Sequence, residues 1–381
     1  MTSSRITLEP KEKPVNLEDG RPPDITTPTR TPWYSDWRVW LGVAITLTCV
    51  WYSIRDVPLA ALWGAMLQVD LVLLLTLSVP AYVANVYVRA LRWRHLTNPI
   101  ASIERGALFR AQAIGFMVNN LLPLRIGELV RCWFLSRETG TSGVSILATV
   151  VLERVLDILS VVTIALAALV WAGRTSPEAG LLAEGALMLL PVALVPLSGV
   201  IALRLVPRHV IAISCWCARP FPERLQILVE KALHRFAEGL GALSGGRHLL
   251  WLMFHSATIW LALSTLPLLA GILAFDLHLG SPQKTLLACW ILLGAVSVAV
   301  AIPSVPGFFG PYQLAFKVVL VRFGVDPATA LALGLLAWFV SWVSLTLLGL
   351  LVVRAGPTSL VELTSELIKY PTSVRAGRGP S

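Results

Sequence analysis

The stretch VLERVLDIL, Val151–Leu159, sets Glu153, Arg154 and Asp157 inside a long apolar run. At about 100° per residue Asp157 lies about 40° from Glu153 and about 60° from Arg154, so the three share one narrow helical face. Ionisable groups carried that far into a bilayer cost at least about 2.5–3.5 kcal/mol each on insertion scales, and they pair or face the interior. A second polar stretch, VNNLLPLRIGELVRCWFLSRE (Val118–Glu138), offers partners. Asn119 and Asn120 precede a break made by Pro123, Arg125 and Gly127, and Glu128 and Arg131 follow it. Arg125–Glu128 and Glu128–Arg131 are each three apart, so they can pair on one helix face. A helix starting at the break turns its free amides toward it and favours anions, phosphate included. The planar fork of Arg125 suits phosphate oxygens. Two readings stay open: a lipid-phosphate site, and an Arg–Glu network that closes a hairpin. Arg125 and Arg131 are the expected partners of Glu153 and Asp157.

The elements that must hold these residues are membrane helices. Of 381 residues 56% are hydrophobic and 14% charged, with mean hydropathy +0.72; soluble domains carry about 25% charge. Six apolar runs read as spans: Trp37–Ile54, Asp70–Val88, Ser142–Ala172, Leu181–Leu203, Leu249–Phe275 and Pro327–Val353. Two more stretches, Ala107–Leu135 and Thr285–Val321, are broken in the middle by Pro and Gly. Non-helical backbone at membrane depth is tolerated only where protein or a wet cavity satisfies it. A re-entrant helical hairpin fits each broken stretch, and so do two steep full spans.

The second break reads PSVPGFFGPYQLAFK. Pro303, Pro306, Gly307 and Gly310 interrupt the helix, and Gln313 and Lys317 share a face beyond them. Lys317 either meets an anion from the outer side or snorkels to the outer interface. The run YVRALRWRHL, Tyr87–Leu96, reads chiefly as an anchor at the inner headgroups, with substrate capture as the alternative. His255 reads as a packed, hydrogen-bonded residue.

Twenty-five of the 31 Lys and Arg lie in four regions: the first 38 residues, 89–137, 204–247 and 354 onward. With six spans and paired hairpin helices all four fall on one side, which makes both termini cytoplasmic. The net charge of +9 then follows from topology and an anionic inner leaflet rather than from nucleic acid. Residues 1–36 read as a disordered tail, 37–355 as one membrane domain, and 356–381 as a second tail, disordered from about Pro371. Within the domain, span, broken hairpin and span occur in that order twice, at about 70–172 and 249–353, around a basic connector at 204–247. The count inverts the second block relative to the first, the pattern of a secondary transporter; coincidence among kinked helices is the alternative. In the connector, Pro222–Leu243 has the apolar spacing of a surface helix, lying on the membrane or packed on the protein. The five Cys and six His form no metal-ligand spacing, and no nucleotide-binding or hydrolase motif occurs. No metal, cofactor or catalytic residue is expected.

Together NNLLPLRIGELVR, LERVLDIL, RALRWRHL and PGFFGPYQ resemble the lysylphosphatidylglycerol synthase transmembrane-region family, over about Asp70 to Val353. Its members include the flippase half of the bacterial multiple peptide resistance factor and stand-alone membrane proteins. The resemblance implies an all-α flippase-like fold with two re-entrant hairpins that moves phospholipids with charged headgroups across the cytoplasmic (inner) membrane of a bacterium. It marks Asn120, Pro123, Arg125, Gly127, Glu128, Arg131, Glu153, Arg154 and Asp157, and Pro306, Gly307, Gly310 and Gln313 on the second motif. Many relatives have Glu where this chain has Gln313, so an acidic partner for an aminoacylated headgroup is missing there. The chain ends soon after the last span, which implies the transport half without a synthase half. Headgroup candidates are thus Asn119, Asn120, Arg125, Glu128, Arg131, Glu153, Arg154, Asp157, Gln313 and Lys317. Arg125 and Arg154 would hold phosphate, with the acids balancing charge or meeting a cationic headgroup. Movement would run on a gradient or by equilibration. The expected partners are membrane phospholipids; a lipid- or glycan-synthesis enzyme and a second copy are further candidates. A membrane-embedded lipid-phosphate transferase and a non-transporting subunit of a lipid or glycan synthase are the alternatives to a flippase.

Overall fold

The computed structural model describes residues 37–122, 126–172, 246–302 and 304–355, together with 201–203, 205–220 and a few scattered positions between 194 and 234. The two tails, Pro123, Arg125, Pro303, nearly all of the Leu181–Leu203 span and most of the Pro222–Leu243 helix lie outside the described residues.

The described elements are helices: α1 (Trp37–Ile54), α2 (Leu59–Leu67), α3 (Leu71–Thr97), α4 (Arg105–Leu121), α5 (Gly127–Thr139), α6 (Gly143–Ala172), α7 (Pro207–Ala218), α8 (Gly246–Ala257), α9 (Thr265–Ala274), α10 (Pro282–Ala301), α11 (Pro311–Arg322) and α12 (Pro327–Ala355). A single wide π turn, Thr258–Leu263, joins α8 to α9. Local chemistry sets several of the starts. Asp70 accepts from Leu73 N at 2.9 Å, and Ser281 accepts from Lys284 N ahead of Pro282; each supplies an acceptor to an otherwise orphaned amide.

Four helical segments are long and apolar enough to cross a bilayer: Leu71–Thr97, Leu250–Ala274, Pro282–Ala301 and Pro327–Ala355. This differs from the six expected spans. The apolar part of α1, Val39–Ile54, is shorter, α6 carries three charged residues near its middle, and the Leu181–Leu203 span falls outside the described residues. The second span is also longer than its hydropathy implies: α3 continues through the whole RALRWRHL run.

Each broken stretch forms two helices. α4 and α5 pack antiparallel, with Gln112 opposite Arg131 and Asn119 opposite Gly127. Their approach is close. A Cβ on Gly127 would sit 2.1 Å from Gly115 O, so only Gly fits. In the second stretch a short turn, Pro306–Phe308, links α10 to α11, which also pack together. Gly307 and Gly310 take φ of 72° and 95°, the left-handed region that other residues resist.

The two halves exchange helices. α4, from the first broken pair, packs on α12 of the second half; α10, from the second pair, packs on α6 of the first. α3 runs antiparallel to α8–α9: Asp70 N donates to Ala274 O at 2.9 Å at one end, and Arg92 reaches Ser256 near the other.

Candidate functional site

The largest charged cluster among the described residues forms where α3, α5 and α6 meet α4 and the α8–α9 segment. On α3, Arg89 and Arg92 are three apart and Asn85 lies a turn before, so one face of an otherwise apolar span carries all three. Arg89 Nη1 lies 3.0 Å from Asp157 Oδ2, and its Nε donates to Asn85 Oδ1 at 2.8 Å. Arg92 Nη2 donates to Asp157 Oδ1 at 2.6 Å, while Nη1 donates to Ser256 Oγ at 3.1 Å. From α5, Arg131 Nη2 sits 3.0 Å from Glu153 Oε2, and Nη1 donates to Gln112 on α4. Arg154 Nη2 donates to Glu153 Oε1 at 3.0 Å, and its Nη1 is 3.6 Å from Asp157 Oδ2.

The aromatic residues are fixed around these charges. Trp260 donates its indole N–H to Asp157 Oδ1 at 3.1 Å, and Arg89 lies over its ring at 5.2 Å. Arg131 lies 4.7 Å over the ring of Trp93, whose own N–H donates to Thr149 Oγ1. Such stacking suits the flat guanidinium. The π turn brings Trp260 here. A wide turn leaves carbonyls without their usual helical donors, and Asn85 Nδ2 and Thr265 Oγ1 donate to those of Ile259 and Trp260.

The charge count is unequal. Four guanidinium groups contact two carboxylates. Glu128 at the start of α5 adds its charge near Arg154, but its Oε2 accepts from Asn119 Nδ2 at 3.3 Å. Counting it still leaves one positive charge in excess among the described residues. Arg89, Arg92 and Arg131 are buried; Arg154, with 41% of its side chain exposed, brings the cluster to the surface.

The expected residues separate into two groups. Arg131, Glu153, Arg154 and Asp157 meet in this cluster, with Glu128 beside it. Arg131 turns to Glu153 and Gln112 rather than to Glu128. Asn119 and Asn120 serve the breaks. Asn119 Oδ1 accepts from Gly127 N at 2.8 Å. Asn120 donates to Trp342 O and Thr346 Oγ1, each at 3.2 Å, while Trp342 donates back to Asn120 O at 3.1 Å. One turn away Trp338 donates to Gly307 O at 2.6 Å, so α12 holds both breaks. Pro306 opens the short turn that Gly307 carries. Gln313 accepts from Gly310 N at 2.7 Å.

Two expectations are corrected. Arg89, Arg92 and Trp93 are not at an interface: Arg92 and Trp93 have no exposure, because α3 turns this face into the bundle. Lys317 does not snorkel. It is buried and donates to Tyr52 O and Ser53 O at 3.1 and 3.0 Å, closing the C-terminal end of α1. His255 packs against Trp251 and His95, with Nδ1 2.6 Å from Trp251 O. Sequence reasoning passed over Asn85, Gln112, Ser256 and Trp260. The i, i+4, i+7 stripe of Asn85, Arg89 and Arg92 was the available signal for the α3 face.

The profile of the lysylphosphatidylglycerol synthase transmembrane region matches residues 39–349. The chain belongs to that family. Its apolar helices and this membership make it a multi-pass membrane protein. Among curated proteins it is similar to the UPF0104 membrane protein PH1989 of Pyrococcus horikoshii, 23% identical over 333 residues that cover 82% of this chain and 95% of that protein. No solved structure matches the chain significantly.

Proposed function

We propose that this family member is a flippase-like transporter, moving phospholipids with charged headgroups between the leaflets of a bacterial inner membrane. The observation that carries the reading is the buried cluster of four arginines against two carboxylates, built on three helices beside the first break. A purely structural network has no need of surplus charge, since unpaired buried charge destabilises. A headgroup phosphate supplies the missing negative charge, and guanidinium groups bind its oxygens through charge-assisted hydrogen bonds. The acyl chains stay in the bilayer while the headgroup passes the cluster.

The packing supports an inverted repeat within a membrane domain spanning 37–355, and the Lys and Arg distribution favours cytoplasmic termini. α3 and its counterpart α8–α9 run antiparallel, as inversion requires, and the halves exchange α4 and α10 symmetrically. The second helix of each broken pair is short. α5 and α11, of 13 and 12 residues, rise about 20 and 18 Å against a hydrocarbon core of about 30 Å. The first pair therefore reads as a re-entrant hairpin; in the second, α10 is long enough to cross and only the returning α11 is short, and the two breaks are joined through Trp338 and Trp342 of α12. No catalytic role is assigned to the cluster, whose carboxylates are occupied by arginines.

The test is leaflet exchange in liposomes. Purified protein should speed the exposure of a headgroup-labelled anionic lipid to an external quencher, relative to protein-free liposomes. Arg131→Gln, with folding matched by size-exclusion profile and thermal melt, should slow it. Exchange at the protein-free rate for the wild type would remove the proposal.

A further inference from the structure

We infer that the cluster selects anionic lipid phosphates lacking an ammonium group, and that Arg154 is the selecting cation. This rests on reading the cluster as the headgroup site. The carboxylates are already matched by cations, although Glu153 Oε2 faces Arg131 as an ion pair without a hydrogen bond among the described residues. Glu153 Oε1 faces Arg154 and Oε2 faces Arg131, each at 3.0 Å; Asp157 Oδ1 faces Arg92 at 2.6 Å and Oδ2 faces Arg89 at 3.0 Å. Every oxygen of both acids thus has its own guanidinium. The third acid, Glu128, accepts from Asn119 through Oε2 and leaves the total positive.

The donors show the opposite condition. The buried Nε–H groups of Arg92, Arg131 and Arg154 donate to no acceptor among the described residues. A buried donor without an acceptor is costly, and costlier when charged. Three such donors and a net positive charge call for an acceptor-rich anion. A phosphate ester is the lipid group that fits. An ammonium group in the same site meets four cations, with Glu153 and Asp157 already ion-paired and only Glu128 beside it, so zwitterionic and aminoacylated headgroups are disfavoured by like-charge repulsion. Arg92 and Arg131 are buried and locked between neighbours, whereas Arg154 is half-exposed and is the guanidinium of the cluster that a headgroup can reach from outside.

The experiment is native mass spectrometry of the full-length protein in detergent, titrated with four lipids of identical acyl chains. These are phosphatidic acid, phosphatidylglycerol, phosphatidylethanolamine and lysyl-phosphatidylglycerol. The first two should bind at least about tenfold more tightly than the others, the scale of one charge-assisted hydrogen bond. Arg154→Gln should remove most of that preference and Arg154→Lys should retain part of it. Both substitutions sit at a half-exposed position, so folding should persist and a thermal melt verifies it. Equal binding of all four lipids, a preference for lysyl-phosphatidylglycerol, an unchanged preference in Arg154→Gln, or no lipid binding at all would each overturn the inference. Transport is read separately. Selective binding without leaflet exchange would leave the selectivity standing and remove the flippase reading; rapid exchange of the lysyl lipid would do the reverse.

Discussion

At the first break the chain surrounds a cation on its second helix, Arg131, with Gln112, Glu153 and the ring of Trp93. At the second break the corresponding helix carries Lys317, which meets only backbone carbonyls of α1 among the described residues. The same scaffold of two helices, a Pro/Gly break and a following long helix is thus charged in one half and nearly neutral in the other. The contrast separates two jobs. Glycines and the α12 tryptophans serve both breaks; the arginines and acids belong to one. A network that only stabilised broken helices would be needed twice. Its presence on one side is what the proposed headgroup site requires.

Substitutions can break or sharpen this contrast. The largest effect is expected for Asp157→Leu, which strips the buried Arg89 and Arg92 of the carboxylate they contact at 3.0 and 2.6 Å. Breaking a buried pair from one side costs about 3–5 kcal/mol, and a thermal melt in detergent should show the loss directly. Gly127→Ala should come next. Its Cβ would meet Gly115 O at 2.1 Å and Asn119 Oδ1 at 2.5 Å, and overpacking of this kind costs about 1–3 kcal/mol, here at the upper end. Lys317→Met removes two hydrogen bonds but leaves no unpaired acid, so about 1–3 kcal/mol is expected from a charged donor. If that variant destabilised more than Asp157→Leu, the second break would be as charge-dependent as the first and the contrast would fail. Trp342→Phe should be mildest, about 0.5–1.5 kcal/mol for one hydrogen bond to Asn120 O. Proteolysis near the first break would report its loosening.

Much of this was legible in the chain. Hydropathy located five of the six expected runs as helices, with Leu181–Leu203 outside the described residues and α2 and α7 unforeseen, and Pro and Gly located the breaks, because a missing donor and a freed φ act locally. The face shared by Glu153, Arg154 and Asp157 was also local, and Arg131 is one of the two partners expected for it. What failed was the reading of Arg89 and Arg92. A basic run with Trp at the end of an apolar stretch looks the same whether α3 stops there or continues into the bundle, and only packing decides. Gln112, Ser256 and Trp260 are single polar or aromatic residues on helices far apart in sequence. Nothing near them marks their convergence on Glu153 and Asp157. Lys317 was misread for a related reason: its partners are α1 carbonyls, and backbone acceptors leave no trace in side-chain pattern.

The most direct measurement is the leaflet-exchange rate of a headgroup-labelled phosphatidylglycerol in liposomes holding wild type or Arg154→Gln at equal folded amounts. The expected result is exchange well above protein-free liposomes for the wild type and a fall of about tenfold in the variant, one charge-assisted hydrogen bond's worth. Equal rates in the two proteins would contradict the assignment of the arginine cluster as the headgroup site.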